Sequence, residues 1–152
     1  MAGVLGVLVL SGTSSAREIV VAPIGGEFTT IAGGVGAAQA GDRVSVRPGI
    51  YNESVSFGRS GSAAAGFITL QGDPGAILDG TGRSGQGITI ANRHHIRVLG
   101  MTVRNFKAGA TPMGIDVEGN SSFIELRGNL IHNIESPNGT RSACTRAGNA
   151  SE

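Results

Sequence analysis

Ile68-Thr69-Leu70-Gln71-Gly72, Ile96-Arg97-Val98-Leu99-Gly100 and Ile124-Glu125-Leu126-Arg127-Gly128 are three copies of one pattern. Each reads apolar-x-apolar-x-Gly, which suits a half-buried strand ending in a bend. The copies start 28 residues apart both times, and a recurring spacing of this size marks a repeat architecture. The agreement extends outward. Gly87-Ile88-Thr89-Ile90 matches Gly114-Ile115-Asp116-Val117, and Val103-Arg104-Asn105-Phe106 matches Ile131-His132-Asn133-Ile134. The offset is 27 in the first match and 28 in the second, so one residue has been added in the loop between them, where insertions are tolerated. Each repeat therefore holds three short strands, near 87–91, 95–99 and 102–106, then near 114–118, 123–127 and 130–134.

Three strands per repeat argue against a hairpin sandwich, which shows two-residue turns and no long period. They also argue against a leucine-rich repeat, with one strand per repeat. The pattern predicts an all-β chain, a right-handed parallel β-helix solenoid with three strands per coil and about three to four coils. Equivalent residues of successive coils then stack about 4.8 Å apart. Ile88, Ile90, Ile115 and Val117 should form inward columns, as should Ile68, Ile96 and Ile124. Gly72, Gly100 and Gly128 fall at corners that need positive φ or close backbone approach. Asn129 suits a left-handed corner too. Asn105 and Asn133 occupy equivalent places and should stack as a ladder that satisfies turn backbone.

Ahead of the repeats, Ile31, Val35 and Ala38 have helical spacing, weakened by Gly33, Gly34 and Gly36. A short helix there would cap the open end of the solenoid. Val44-Ser45-Val46 is then expected as the first strand.

Composition agrees. Gly numbers 26 of 152 residues, without the three-residue period of collagen, and charged residues are only 15%. The net charge of +1 supplies no basic field for nucleic acid. Cys144 stands alone, so no disulfide staples the domain. Residues 1–16 form an apolar run closed by Ser14-Ser15-Ala16, which reads as a signal peptide without the usual preceding cation. The run is too short for a stable membrane span. The alternative is a buried N-terminal strand. Export to the periplasm or medium, as a monomer, is expected.

After Asn133 the alternation fails, and 137–152 reads as an irregular tail. Reading the codons one base earlier permits His-Ala-Ile-Gly-Val-Tyr there, which resumes the pattern, so a frameshift or premature stop is the expectation.

The run Thr30-Ile31, then Ala37-Ala38-Gln39-Ala40-Gly41-Asp42-Arg43-Val44-Ser45-Val46-Arg47-Pro48-Gly49-Ile50-Tyr51-Asn52-Glu53, resembles the N-terminal cap and first coil of bacterial pectin-lyase-like β-helix proteins. These include pectate, alginate and chondroitin lyases. Ser60–Leu70 and Ala76-Ile77-Leu78-Asp79-Gly80 extend the resemblance, which covers residues 28–136. It is specific for fold and weak for activity, because one fold hosts many chemistries. It implies a secreted polysaccharide lyase acting by uronate β-elimination, with calcium and an Arg or Lys base. No complete catalytic motif of that group is matched here, and the chain alone is expected to be inactive. A noncatalytic glycan-binding or surface-scaffold β-helix is the alternative, and a glycoside hydrolase with paired carboxylates is a third.

Asp116 and Glu118 alternate with inward Ile115 and Val117, so both should project from one outer face. Hard carboxylate oxygens suit calcium or contact with an acidic polysaccharide. The alternative is a solvated strand face, since Thr89 and Ala91 stand at these places one coil earlier. Arg97 and Glu125 should form a cross-strand ion pair, and Arg104 and His132 should stack likewise. His94-His95 should point to opposite faces, without a third ligand. Asn52-Glu53-Ser54 and Asn120-Ser121-Ser122 match glycosylation acceptors.

Overall fold

The structure is a computed structural model that describes residues 15–136 and 145–147. It begins with strand β1 (Glu18–Val21) and helix α1 (Ile31–Ala37). Coils of three strands follow. The first holds β2 (Arg43–Val46), β3 (Gly49–Tyr51) and β4 (Val55–Ser56), the second β5 (Ile68–Gly72), β6 (Ala76–Asp79) and β7 (Ser84–Ala91). The third holds β8 (His94–Leu99), β9 (Thr102–Arg104) and β10 (Ala108–Glu118), and the fourth β11 (Ser122–Arg127), β12 (Leu130–His132) and β13 (Thr145–Ala147). Corresponding strands pair in parallel into three sheets, ordered β1-β2-β5-β8-β11, β3-β6-β9-β12 and β4-β7-β10-β13. The chain is a right-handed parallel β-helix of about four coils.

The ladder register is the one the repeat demanded. Ile68 pairs with Ile96 and Ile96 with Ile124, while Ile88 pairs with Ile115 and Val103 with Ile131. The added residue lies where the offset changes: Asn92 and Arg93 link β7 to β8, whereas Gly119, Asn120 and Ser121 link β10 to β11. Inward positions stack into apolar columns, Ile19-Val44-Leu70-Val98-Leu126 on one sheet and Tyr51-Leu78-Val103-Ile131 on another. Ile88, Ile90, Ile96 and Ile115 are fully buried, and Val117 nearly so. Ile124 and Leu126 are only partly buried, because β11 is the last strand of its sheet.

Both corner mechanisms occur. Gly100 and Gly128 have φ of 64°, the left-handed region, whereas Gly72 answers to close approach. A Cβ on Gly72 would stand 2.8 Å from Met101 Sδ and 2.9 Å from the Gly100 oxygen. Asn129 differs from expectation. Gly128 takes the left-handed turn, and Asn129 bridges coils instead: its Oδ1 accepts the Met101 N–H at 3.0 Å and its Nδ2 donates to the Val98 carbonyl at 2.9 Å.

Helix α1 caps the solenoid as expected, burying Ile31, Gly34 and Val35 against β1, β2 and β4. Thr30 Oγ1 accepts the Gly33 N–H, and the Glu53 carboxylate accepts those of Ile31 at 2.7 Å and Ala32 at 2.9 Å. Three free donors of the first turn are thereby satisfied, which compensates a glycine-rich helix.

Two boundaries shift. Val44-Ser45-Val46 is not the first strand, because Glu18–Val21 pairs with β2 and buries Ile19 and Val21. The β-ladder therefore starts at Glu18, ahead of the capping helix. Within the tail expected to be irregular, Thr145–Ala147 pairs in register with β10. The rest of 137–152 and residues 1–14 of the expected leader lie outside the described residues. Among the described residues no helix is long and apolar enough to cross a membrane.

Candidate functional site

The outer face of the five-stranded sheet concentrates charge and aromatic rings. Its ladder places Glu18, Arg43, Thr69, Arg97 and Glu125 in one column, each on the next strand. Strand alternation puts these residues outside while Ile19, Val44, Leu70, Val98 and Leu126 face the lumen. A cleft of about 360 Å³ opens on this face, lined by Arg17, Arg43 and Arg97 with Glu18, Phe67 and Thr69 among its walls. Of the three arginines in its wall, Arg97 and Arg17 are paired with the carboxylates of Glu125 and Glu27.

The arginines differ in engagement. Arg97 pairs with Glu125 as expected, Nε to Oε2 at 2.5 Å, and its guanidinium also lies 4.3 Å from the centre of the Phe67 ring. Arg127 shares Glu125 at 2.5 Å. Arg17 reaches Glu27 at 3.6 Å. Arg43 is exposed, and its guanidinium makes no hydrogen bond or ion pair among the described residues. Arg43 is therefore the cation of the cleft best able to take an incoming anion.

Beside this column runs an aromatic one. Phe67, His95 and Phe123 each precede the isoleucine of a repeat. The Phe67 and His95 ring centres are 5.3 Å apart edge to face, and those of His95 and Phe123 are 4.6 Å apart and stacked. Phe123 is 67% exposed. The column is legible in the sequence as a 28-residue recurrence one place before Ile68, Ile96 and Ile124.

His94 and His95 do not point apart as strand geometry requires. His95 has φ of 54°, which breaks the alternation, and the two Nδ1 atoms stand 3.2 Å apart.

Asp116 and Glu118 are placed differently from each other. Asp116 is fully buried and Glu118 half-buried. Asp116 lies in register between Thr89 and Arg146, so a strand flanks it on either side, while Glu118 is paired with Ala91 of β7. Alternation indicates direction but not how closely neighbouring strands enclose the position. Asp116 is thus enclosed at a position that its spacing directs outward.

On the sheet of β3, β6, β9 and β12, the polar ladder is as anticipated in position but bonds side chain to side chain. Asn133 Nδ2 donates to Asn105 Oδ1 at 3.2 Å, and Asn105 Nδ2 donates to Asp79 Oδ2 at 3.2 Å. Both asparagines hold positive φ, 62° and 55°. Arg104 and His132 are in register, but Arg104 takes Asp79 as its ion partner, Nε to Oδ2 at 2.7 Å. Asn52 Nδ2 donates to the carbonyls of Asp79 and Thr81, and Asn120 N–H donates to Asn92 Oδ1. Both candidate glycosylation asparagines thus belong to turns that link coils.

No family model, curated protein or solved structure matches the chain. What the structure carries of the resemblance is the parallel β-helix itself.

Proposed function

We propose that this β-helix is an exported protein that binds acidic polysaccharide along the outer face of the β1-β2-β5-β8-β11 sheet. The observation that carries this reading is the cleft that Arg43 and Phe67 both line, in which Arg43 is exposed and has no ion partner among the described residues. A guanidinium presents paired N–H donors that match a carboxylate. An aromatic ring offers an apolar face with defined geometry, against which the C–H face of a sugar can rest. The column of five rungs runs along the solenoid axis, and a linear polymer lying along it meets Arg43 and Arg97 on either side of Thr69, with Glu18 and Glu125 at the ends.

Uronate β-elimination is the reaction expected from the resemblance and remains attached to this proposal as its catalytic extension. Calcium, expected from the resemblance, would take carboxylate oxygens from Asp116 and Glu118, with carbonyl and water oxygens completing the ~6–8 that it binds.

Calorimetric titration with polygalacturonate and alginate oligomers, beside a neutral glucan, tests the binding. Acidic oligomers should bind, the neutral one should not, and Arg43→Ala should weaken binding at least ~10-fold, about 1.4 kcal/mol. Lys107→Ala, on a residue paired with Glu135 away from the cleft, should leave binding unchanged. Equal binding of neutral polymer, or an unaltered Arg43→Ala, refutes the proposal. Absorbance of unsaturated product, with and without calcium, reads the elimination separately.

A further inference from the structure

We propose that His94 and His95 together chelate a borderline divalent transition ion, Cu²⁺ most tightly. Their Nδ1 atoms face each other at 3.2 Å. Imidazole nitrogens bind such ions at about 2.0–2.1 Å, and two bonds of that length spanning the observed gap enclose an angle of roughly 100°. That lies between the square-planar and tetrahedral values, so one ion can reach both nitrogens at this separation once the rings turn their lone pairs toward it. Neutral imidazole suits these metals, and copper heads the affinity order among them.

The pair is held ready. His95 is fixed by its left-handed backbone and by stacking against Phe123, with Phe67 edge-on at its other side. The His94 N–H donates to Ser60 Oγ at 3.1 Å, anchoring the start of β8. The neighbouring Arg93 turns its guanidinium toward the carbonyls of Phe57 and Asn92. Without metal, one Nδ1–H donates to the other Nδ1. Binding shifts that proton to Nε2 of the same ring, so both Nδ1 lone pairs become ligands with no net proton change. Further coordination positions fall to water or to an oxygen donor from outside.

The test is titration of the whole chain with Cu²⁺, followed by calorimetry and electron paramagnetic resonance, in a Cys144→Ser background that removes the competing thiol. One ion per chain with splitting from two nitrogens is expected. His94→Ala should weaken binding at least ~10-fold, and His95→Phe should do the same. The latter continues the Phe67–Phe123 column, so circular dichroism should show the fold retained. His132→Ala, which alters the third histidine on β12, should change nothing. Unaltered affinity in His94→Ala and His95→Phe, or loss of binding in His132→Ala, overturns the assignment.

Discussion

Asp79→Asn should destabilise the protein in a pH-dependent way. The wild-type carboxylate is 8% exposed and accepts four hydrogen bonds: from the Thr81 N–H at 2.9 Å, the Thr81 hydroxyl at 2.5 Å, Arg104 Nε at 2.7 Å and Asn105 Nδ2 at 3.2 Å. Burial by itself raises its pKa. The hydrogen bonds from Thr81 and Arg104, with the charge of Arg104, outweigh burial and lower the value from 3.8 to about 2. At ~1.36 kcal/mol per pH unit, that difference contributes roughly 2 kcal/mol at neutral pH. Because the folded-state pKa is depressed, this stability is fully present well above pH 4 and is lost as the pH falls through 2. About half remains near pH 3. Asparagine cannot ionise, and its amide N–H₂ faces either Arg104 and Asn105 or Thr81, all donors in the wild-type network. Urea unfolding at pH 7 and pH 3 should give a wild-type advantage of ~2–3 kcal/mol, narrowing to about 1 kcal/mol at the lower pH. An advantage that is the same at both values, or below ~0.5 kcal/mol at pH 7, refutes the reasoning.

Other positions give sharper signs. Gly80→Ala places a Cβ 2.5 Å from two atoms of the buried Phe106 ring, so thermal unfolding should report a loss of ~2 kcal/mol or more. Gly36→Ala, exposed in α1 with nothing within 4 Å of its Cβ, should instead stabilise by up to about 1 kcal/mol in the same assay. Glu53→Gln keeps one oxygen for two helix N–H groups and removes a charge from the start of α1. Its cost should be about 1 kcal/mol by urea unfolding, with hydrogen exchange at Ile31 and Ala32 accelerated.

Much of the fold was readable because a solenoid writes its tertiary contacts into sequence spacing. Ile68, Ile96 and Ile124 are 28 residues apart, and the same spacing pairs them in the ladder. The Arg97–Glu125 ion pair follows from that register alone. The candidate site was less legible. Arg43 and Arg97 become neighbours in one column only through the intervening β5, whose Thr69 carries no charge to announce them. Strand β1 was missed because Glu18–Val21 precedes α1 and has no copy at the repeat spacing. The β13 segment was missed for a related reason: Thr145-Arg146-Ala147 lacks the apolar alternation of its partners.

The chain by itself determined the period, the inward columns and the corner glycines, because each depends on residues a constant distance apart. What only the tertiary structure decided is how enclosed each outward group is. Asp116 is buried while Arg43 is open, although alternation directs both out of the solenoid. Side-chain direction is a local property of a strand, whereas exposure depends on which chain segments lie alongside it. The same distinction brings His94 and His95 together: one left-handed residue redirects a ring that strand alternation had sent to the opposite face.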